Sequence, residues 1–216
     1  MIEYSLSLKK IQSNLKTSTF GRSIEIMGDS SSLPGMVGYL KRNSVKSRNG
    51  HLVICLNKHN LSMVALIIAS PSSNNDALIH ITGVTLCRAF RISANRITPK
   101  IDEAGRIIVN GKIMGNISIT STNNYSRIFT SSIIGIELYT DDYPEESTSD
   151  YHTSDYQMRT HLFRHINYTS FNAEGFIASL MNHLEEVILV YELGDYKSIL
   201  NEYSSSVHYS GEAIQW

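Results

Sequence analysis

The chain has 216 residues, 42% of them hydrophobic, so it can bury a sizeable core in one large domain, and global disorder is excluded. A formal net charge of -1 excludes a general electrostatic attraction to nucleic acid or anionic lipid. The two cysteines, Cys55 and Cys87, each sit in an apolar run and read as buried reduced thiols, with no CxxC pair to suggest zinc or redox work.

Met1 to Lys10 contains Glu3 and lacks the apolar core of a secretory signal, and no apolar stretch reaches the ~18 residues of a membrane span. A cytoplasmic protein without membrane contact is the expectation. Residues 1–19 read as an N-terminal extension and 20–216 as one domain. Ser23 to Met27 has the composition of a short strand. Gly28-Asp29-Ser30-Ser31-Ser32 follows, where Asp29 or a serine can cap a helix with Pro34 in its first turn and Met36, Val37 and Leu40 on its apolar face. Lys41 to Asn49 is a basic, polar connection closed by the Asn49-Gly50 turn signal. Leu52–Leu56 and Ser62–Ser70 are apolar runs of strand length divided by a short polar turn, as in a hairpin.

Asp76 can cap the next element, Ala77 to Arg91. Its Ile79, Gly83, Leu86 and Phe90 recur at helical spacing while Ile81, Thr82, Val84 and Thr85 favour strand; its length favours helix. Strands are expected at Ile107–Val109, Ile113–Thr120, Arg127–Thr130 and Ile133–Tyr139, with Asn110-Gly111 and Asn123-Asn124 as turns. Tyr143 to Tyr168, rich in Ser, Thr, Asp and His, reads as a surface loop. His161 and His165 lie four apart within it, but the intervening residues lack the glutamate of an H-E-x-x-H site, and no metal centre is expected. From Ala173, Phe176, Ile177, Leu180, Met181, Leu184, Val187, Ile188 and Tyr191 keep one apolar face until Gly194, the clearest helix in the chain, and a shorter one spans about Tyr196 to Tyr203. Hairpins interleaved with helices predict an α+β fold, a mixed β-sheet backed by helices.

Three stretches together resemble the catalytic core of biotin–protein ligases. Gly28-Asp29-Ser30-Ser31-Ser32 is similar to the family's D-S-T-N turn. Ile107-Ile108-Val109-Asn110-Gly111-Lys112-Ile113-Met114-Gly115-Asn116-Ile117 is similar to its I-V-V-N-G-K-K-I-G-G-I-L hairpin, and Ile133-Ile134-Gly135-Ile136-Glu137-Leu138 to its I-G-I-G-I-N-V strand. The long helix and the segment Tyr203 to Glu212 are similar to the end of that core, and Phe20-Gly21 to its eukaryotic entry. A lipoate-type ligase shares the fold and is the nearest alternative.

The resemblance implies ATP- and Mg2+-dependent formation of biotinyl-adenylate, then transfer of biotin to a lysine of a carboxylase acceptor domain. Residue by residue, it implies a catalytic role for Lys112, which faces the carboxylate and adenylate, and for Lys100. It implies contacts of Ser30, Ser31 and Ser32 with biotin's ureido ring, and close approach of the ligand to Gly115. Each also has a plainer reading: a turn lysine, cap serines, and a glycine in a strand bend.

The chain departs from the family where phosphate chemistry is concentrated. Only Asn57 to Leu61 lies where the family carries a G-R-G-R-x-G loop, and a different register, with Gly38 to Asn43 over the motif, keeps no arginine pattern beyond Lys41-Arg42; Pro99-Lys100-Ile101-Asp102 stands for its K-W-P-N-D, and Glu137 replaces the asparagine of I-N-V. Two functions therefore stay open: an impaired ligase, or a non-catalytic descendant that binds a ligand or serves as a subunit of a larger assembly.

Overall fold

The computed structural model describes residues 6–28, 32–43, 48–57, 59–69, 75–94, 97–122, 130–140, 159–166 and 171–208. The centre is a seven-stranded sheet in the order β1-β2-β3-β7-β6-β5-β4. Its strands are β1 (Ile24–Ile26), β2 (Leu52–Leu56), β3 (Asn60–Ala69), β4 (Lys100–Ile101), β5 (Arg106–Val109), β6 (Lys112–Thr122) and β7 (Thr130–Tyr139). β1 runs parallel to β2 and every other pair is antiparallel, so the sheet is mixed, as the sequence predicts. Residues 123–126, expected to hold a turn, and 127–129 of the expected Arg127–Thr130 strand lie outside the described residues; Thr130 opens β7.

Among the described residues the helices are α1 (Leu8–Asn14), α2 (Leu33–Asn43), α3 (Asn75–Ser93), α4 (Leu162–His165), α5 (Ala173–Glu192) and α6 (Tyr196–Glu202). A π-helical turn, Tyr203–Val207, continues α6. α3 and α5 lie against one face of the sheet, where Leu52, Ile54, Met63, Ile134, Ile136 and Leu138 join the larger core. The opposite face carries a smaller core in which Val53, Cys55, Val64, Leu66 and Ile133 meet Leu33, Met36 and Leu40 of α2. β2 and β3 are thus buried on both faces, which is why they read as continuous apolar runs rather than alternating ones.

The ambiguous segment is helical, and its β-branched residues have a structural reason. Ile81, Thr82, Val84 and Thr85 are all buried, so packing decides their conformation over local propensity, and the Thr82 hydroxyl returns to the Leu78 carbonyl at 2.6 Å. The helix begins one residue earlier than the expected cap, at Asn75, which puts Asp76 inside its first turn. α5 is capped by Asn172, whose side chain accepts from the Gly175 amide, and stops before Gly194 at φ +87°. Phe90 of α3 packs on Phe176 of α5 with ring centroids 4.8 Å apart.

Two segments add to this core. Ile11 of α1 is fully buried, and Glu185 of α5 accepts hydrogen bonds from the amides of Ser18, Thr19 and Phe20 at 2.7–2.8 Å. Farther along, Leu162 of α4 is fully buried, and Arg159 bridges to Ile113. Residues 143–158 and 167–168 of the expected surface loop lie outside the described residues.

The Ile177, Leu180, Leu184 and Ile188 face of α5 is buried at 0–6% exposure. Each such side chain contributes roughly 1.5–3 kcal/mol, and an uncompensated carboxylate costs more than the lost apolar burial. Leu184→Asp is therefore expected to abolish cooperative thermal unfolding, as followed by circular dichroism. A soluble variant with an unchanged melting transition would contradict this packing.

Candidate functional site

The face of the sheet turned away from α3 and α5 is only partly covered. Registers across five strands align Cys55, Ser62, Glu137, Asn116 and Arg106 in one row. With strands about 4.8 Å apart, this row spans roughly 19 Å. The neighbouring row contains Val53, Val64, Gly135 and Ser118, and here α2 begins. A methyl group on Gly135 would come within 3.2 Å of Leu33 and 2.5 Å of the Ser118 hydroxyl, so the glycine lets the N-terminal turn of α2 settle on β7. The polar row lies beside it: Cys55 still packs with α2 and Ser62 is buried, while Glu137 and Asn116 are half-buried and Arg106 is exposed.

On its far side the row is bounded by Tyr139. Asn116 donates to the Tyr139 hydroxyl at 2.8 Å, and the Arg159 guanidinium lies 5.2 Å from the ring centroid of Tyr139. Ser62 is buried and hydrogen-bonds Glu137. Burial pushes the Glu137 carboxyl above the usual carboxylate range, opposed by that hydrogen bond and by the charge of Arg159. The Cys55 thiol donates to the Gly28 carbonyl at 3.3 Å, fixing the start of the loop after β1 at the edge of the row. Arg106 is held by Asp102 at 2.5 Å.

The sequence-predicted residues fall around this row. Met27 donates to the Ile54 carbonyl, so the loop after β1 leaves at the end of the sheet where β2 turns into β3. That end also holds the close of β7 and the start of β6 with Lys112. Lys112 is exposed and opens β6 after a turn in which Asn110 and Gly111 have φ of 52° and 74°. Four residues separate it from Asn116, about 13 Å along the strand. Ser32 is exposed, and its hydroxyl accepts from the Gly35 amide at 3.3 Å as a helix cap. Ser30 and Ser31 lie outside the described residues.

Gly115 has a packing role of its own, since a side chain there would collide with the Glu137 carbonyl on β7. It also adjoins the β-bulge at Ile107/Ile108. Lys100 lies on β4, and its ammonium donates to the Ser206 carbonyl at 3.0 Å. His165, from the His161/His165 pair, hydrogen-bonds Thr160 at 2.9 Å. Among the described residues no group of three or more His, Cys, Asp or Glu side chains is placed to hold a metal ion.

Ser62, Asn116, Tyr139 and Arg159 were not expected from sequence. Asn116 and Glu137 could have been found there: both are polar residues inside otherwise apolar strands. The pairing that brings Ser62 beside them depends on the order of strands in the sheet.

These features define an α+β domain with α3 and α5 on one face of the sheet and, on the other, α2 beside a row of polar side chains. No family sequence model and no curated protein sequence matches the chain. Solved structures do. A biotin protein ligase-like protein of unknown function from Silicibacter sp. is similar with a TM-score of 0.71 and 18% identity, covering 93% of this chain and 85% of that one. The Aquifex aeolicus biotin protein ligase in complex with biotin and ATP gives 0.65 and 14%, covering 88% and 81%. The Leishmania major biotin protein ligase in complex with biotin gives 0.61 and 13%, covering 90% and 85%. The chain thus has the fold of the biotin protein ligase catalytic core.

The raised Glu137 carboxyl binds its proton more tightly in the folded than in the unfolded chain, so its ionisation subtracts stability as pH rises from the ordinary carboxylate range through the folded value. Glu137→Gln is expected to stabilise the domain above that window and to be neutral below it. Urea unfolding of both proteins across this range reads the difference; a variant less stable at neutral pH would show that the Ser62 and Arg159 contacts outweigh the burial.

Proposed function

We propose that this chain is a biotin protein ligase-like protein that holds biotin across the polar row and forms biotinyl-adenylate poorly or not at all. The observation that carries the reading is the tight turn between β2 and β3. Asn57 accepts from the amides of His59 and Asn60 through its side chain, and its own amide donates to the Asn60 carbonyl at 3.0 Å. β2 ends at Leu56 and β3 begins at Asn60, which supports the reading that the arginine-bearing phosphate loop, placed here by the resemblance, is missing.

In this reading Ser30, Ser31 and Ser32 meet the ureido ring, Gly115 allows close approach, and Lys112 receives the carboxylate. Adenylation needs fixed positive charge where the α-phosphate gains negative charge, and a lid against hydrolysis. Lys112 is a flexible point charge and cannot supply a preorganised cradle. Lys100, the other candidate, would have to leave Ser206. Asp102, in the segment corresponding to W-P-N-D, is occupied with the amides of Ala104 and Arg106 and the Arg106 guanidinium. Mg2+ would arrive on the ATP triphosphate, as it commonly does where few carboxylates are offered.

If activity survives, the acceptor is a carboxylase lysine in the cytoplasm. The same closed turn favours the second reading, a non-catalytic pseudo-ligase that serves as a binding or structural subunit.

Calorimetric titration with biotin, and biotin-dependent exchange of labelled pyrophosphate into ATP followed by transfer to an acceptor domain, test the proposal. Biotin binding is expected, weakened by Lys112→Ala, with exchange reduced at least ~10²-fold relative to an intact ligase. Comparable exchange would mean that another segment, such as the basic stretch Lys41 to Arg48, replaces the lost loop. No binding of biotin would remove the proposed ligand.

A further inference from the structure

A second concavity lies on the helical side of the sheet, away from the polar row. It is a cavity of about 400 Å³ between the first turns of α3, the β4–β5 turn and the π-helical turn. Its walls are aromatic. The Tyr203 ring lies 4.3 Å from the His80 ring and 5.8 Å from that of His208. These rings are held in place: His80 Nδ1 is 2.6 Å from the Tyr196 hydroxyl, and the Tyr203 hydroxyl donates to the Ile101 carbonyl at 3.5 Å. Ile79 and Leu200 supply apolar surface, and Asp76 and Glu103 stand exposed at the rim.

Beside its two histidines, the charged groups among the cavity's described lining residues are the carboxylates of Asp76 and Glu103. No lysine or arginine is among its described lining residues, and neither Asp76 nor Glu103 forms an ion pair among the described residues. Burial lowers the His80 pKa, opposed by the neighbouring Asp76 charge and reinforced by His208, which favours the neutral imidazole. Burial likewise pushes the Tyr203 phenol up to about 12, so it is un-ionised, and the ring, 4% exposed, backs the cavity as a neutral wall. Aromatic faces and carboxylates both attract cations, and the volume admits an aliphatic body of several carbons behind the charged head.

We propose that this cavity binds an organic monocation, an ammonium or guanidinium group on an aliphatic body, with the charge between Asp76 and Glu103 and the body against Tyr203 and His80. The site is separate from the polar row, and its occupancy does not depend on whether biotin binds there.

The test is a chemical-shift titration of the whole chain with Nα-acetyl-lysine methylamide, with the norleucine analogue as its uncharged counterpart. Saturable shifts of the Tyr203, His80 and His208 ring signals are expected with the lysine derivative only. Asp76→Asn combined with Glu103→Gln is expected to weaken binding at least about tenfold. Both carboxylates are exposed, so a folded double variant is expected, and unchanged spectra of the α5 core verify it. Absence of saturable ring shifts, equal binding of the norleucine analogue, or unchanged affinity in the folded double variant would each overturn the proposal.

Discussion

The unequal covering of the sheet is the constraint on which the rest of the structure depends. α3 and α5 seal one face with a continuous apolar layer, so the strands are anchored without help from the other side. That leaves the opposite face free to be built from unlike materials. One part is closed by α2 over Val53, Val64 and Ile133, and the adjoining part carries Ser62, Glu137 and Asn116. A partly buried carboxyl in the middle of a sheet is costly unless its surroundings compensate. Here a serine hydroxyl and a guanidinium do so in part. The stability of the helical layer is what makes this polar floor tolerable.

Glu137 gives the open face its individuality. A carboxylate at a position where the similar family has an asparagine changes both charge and hydrogen-bond capacity, because an ionised carboxylate only accepts while an amide also donates. Its neighbours are arranged accordingly: Ser62 donates to it, and Asn116 directs its amide group to Tyr139. The scaffold around it is that of the biotin protein ligase catalytic core. A shared fold does not carry a function with it, and the site must be judged on its own groups.

Most of the fold was legible in the sequence because its strongest signals are local. The apolar face of α5, the Asn110-Gly111 turn and the runs of β2 and β3 each declare themselves within about ten to twenty residues. Ala77 to Arg91 was harder, since its β-branched residues argue against its length, and only burial on all sides resolves the conflict. β4 escaped notice because two residues carry no period. α1 and α4 are also short: α1 has seven residues behind its Ser7 cap, and α4 has four and no side-chain cap. The site was less legible for a different reason. Ser62, Asn116 and Glu137 become neighbours only through a strand order that places β7 between β3 and β6. Nothing within any one strand encodes that adjacency.

The sheet's borders carry a further consequence. β1 offers three residues and β4 two, and alongside β4 the chain returns so that His208 bridges in parallel to Ile101. An exposed strand edge is a template on which another polypeptide can hydrogen-bond. Here one border is too short to guide such pairing, and the other is partly occupied by the chain itself, with Lys100 clasping the same returning segment through Ser206. The lysine singled out by its motif therefore has a second occupation, as a latch that keeps a sheet border closed to neighbouring molecules.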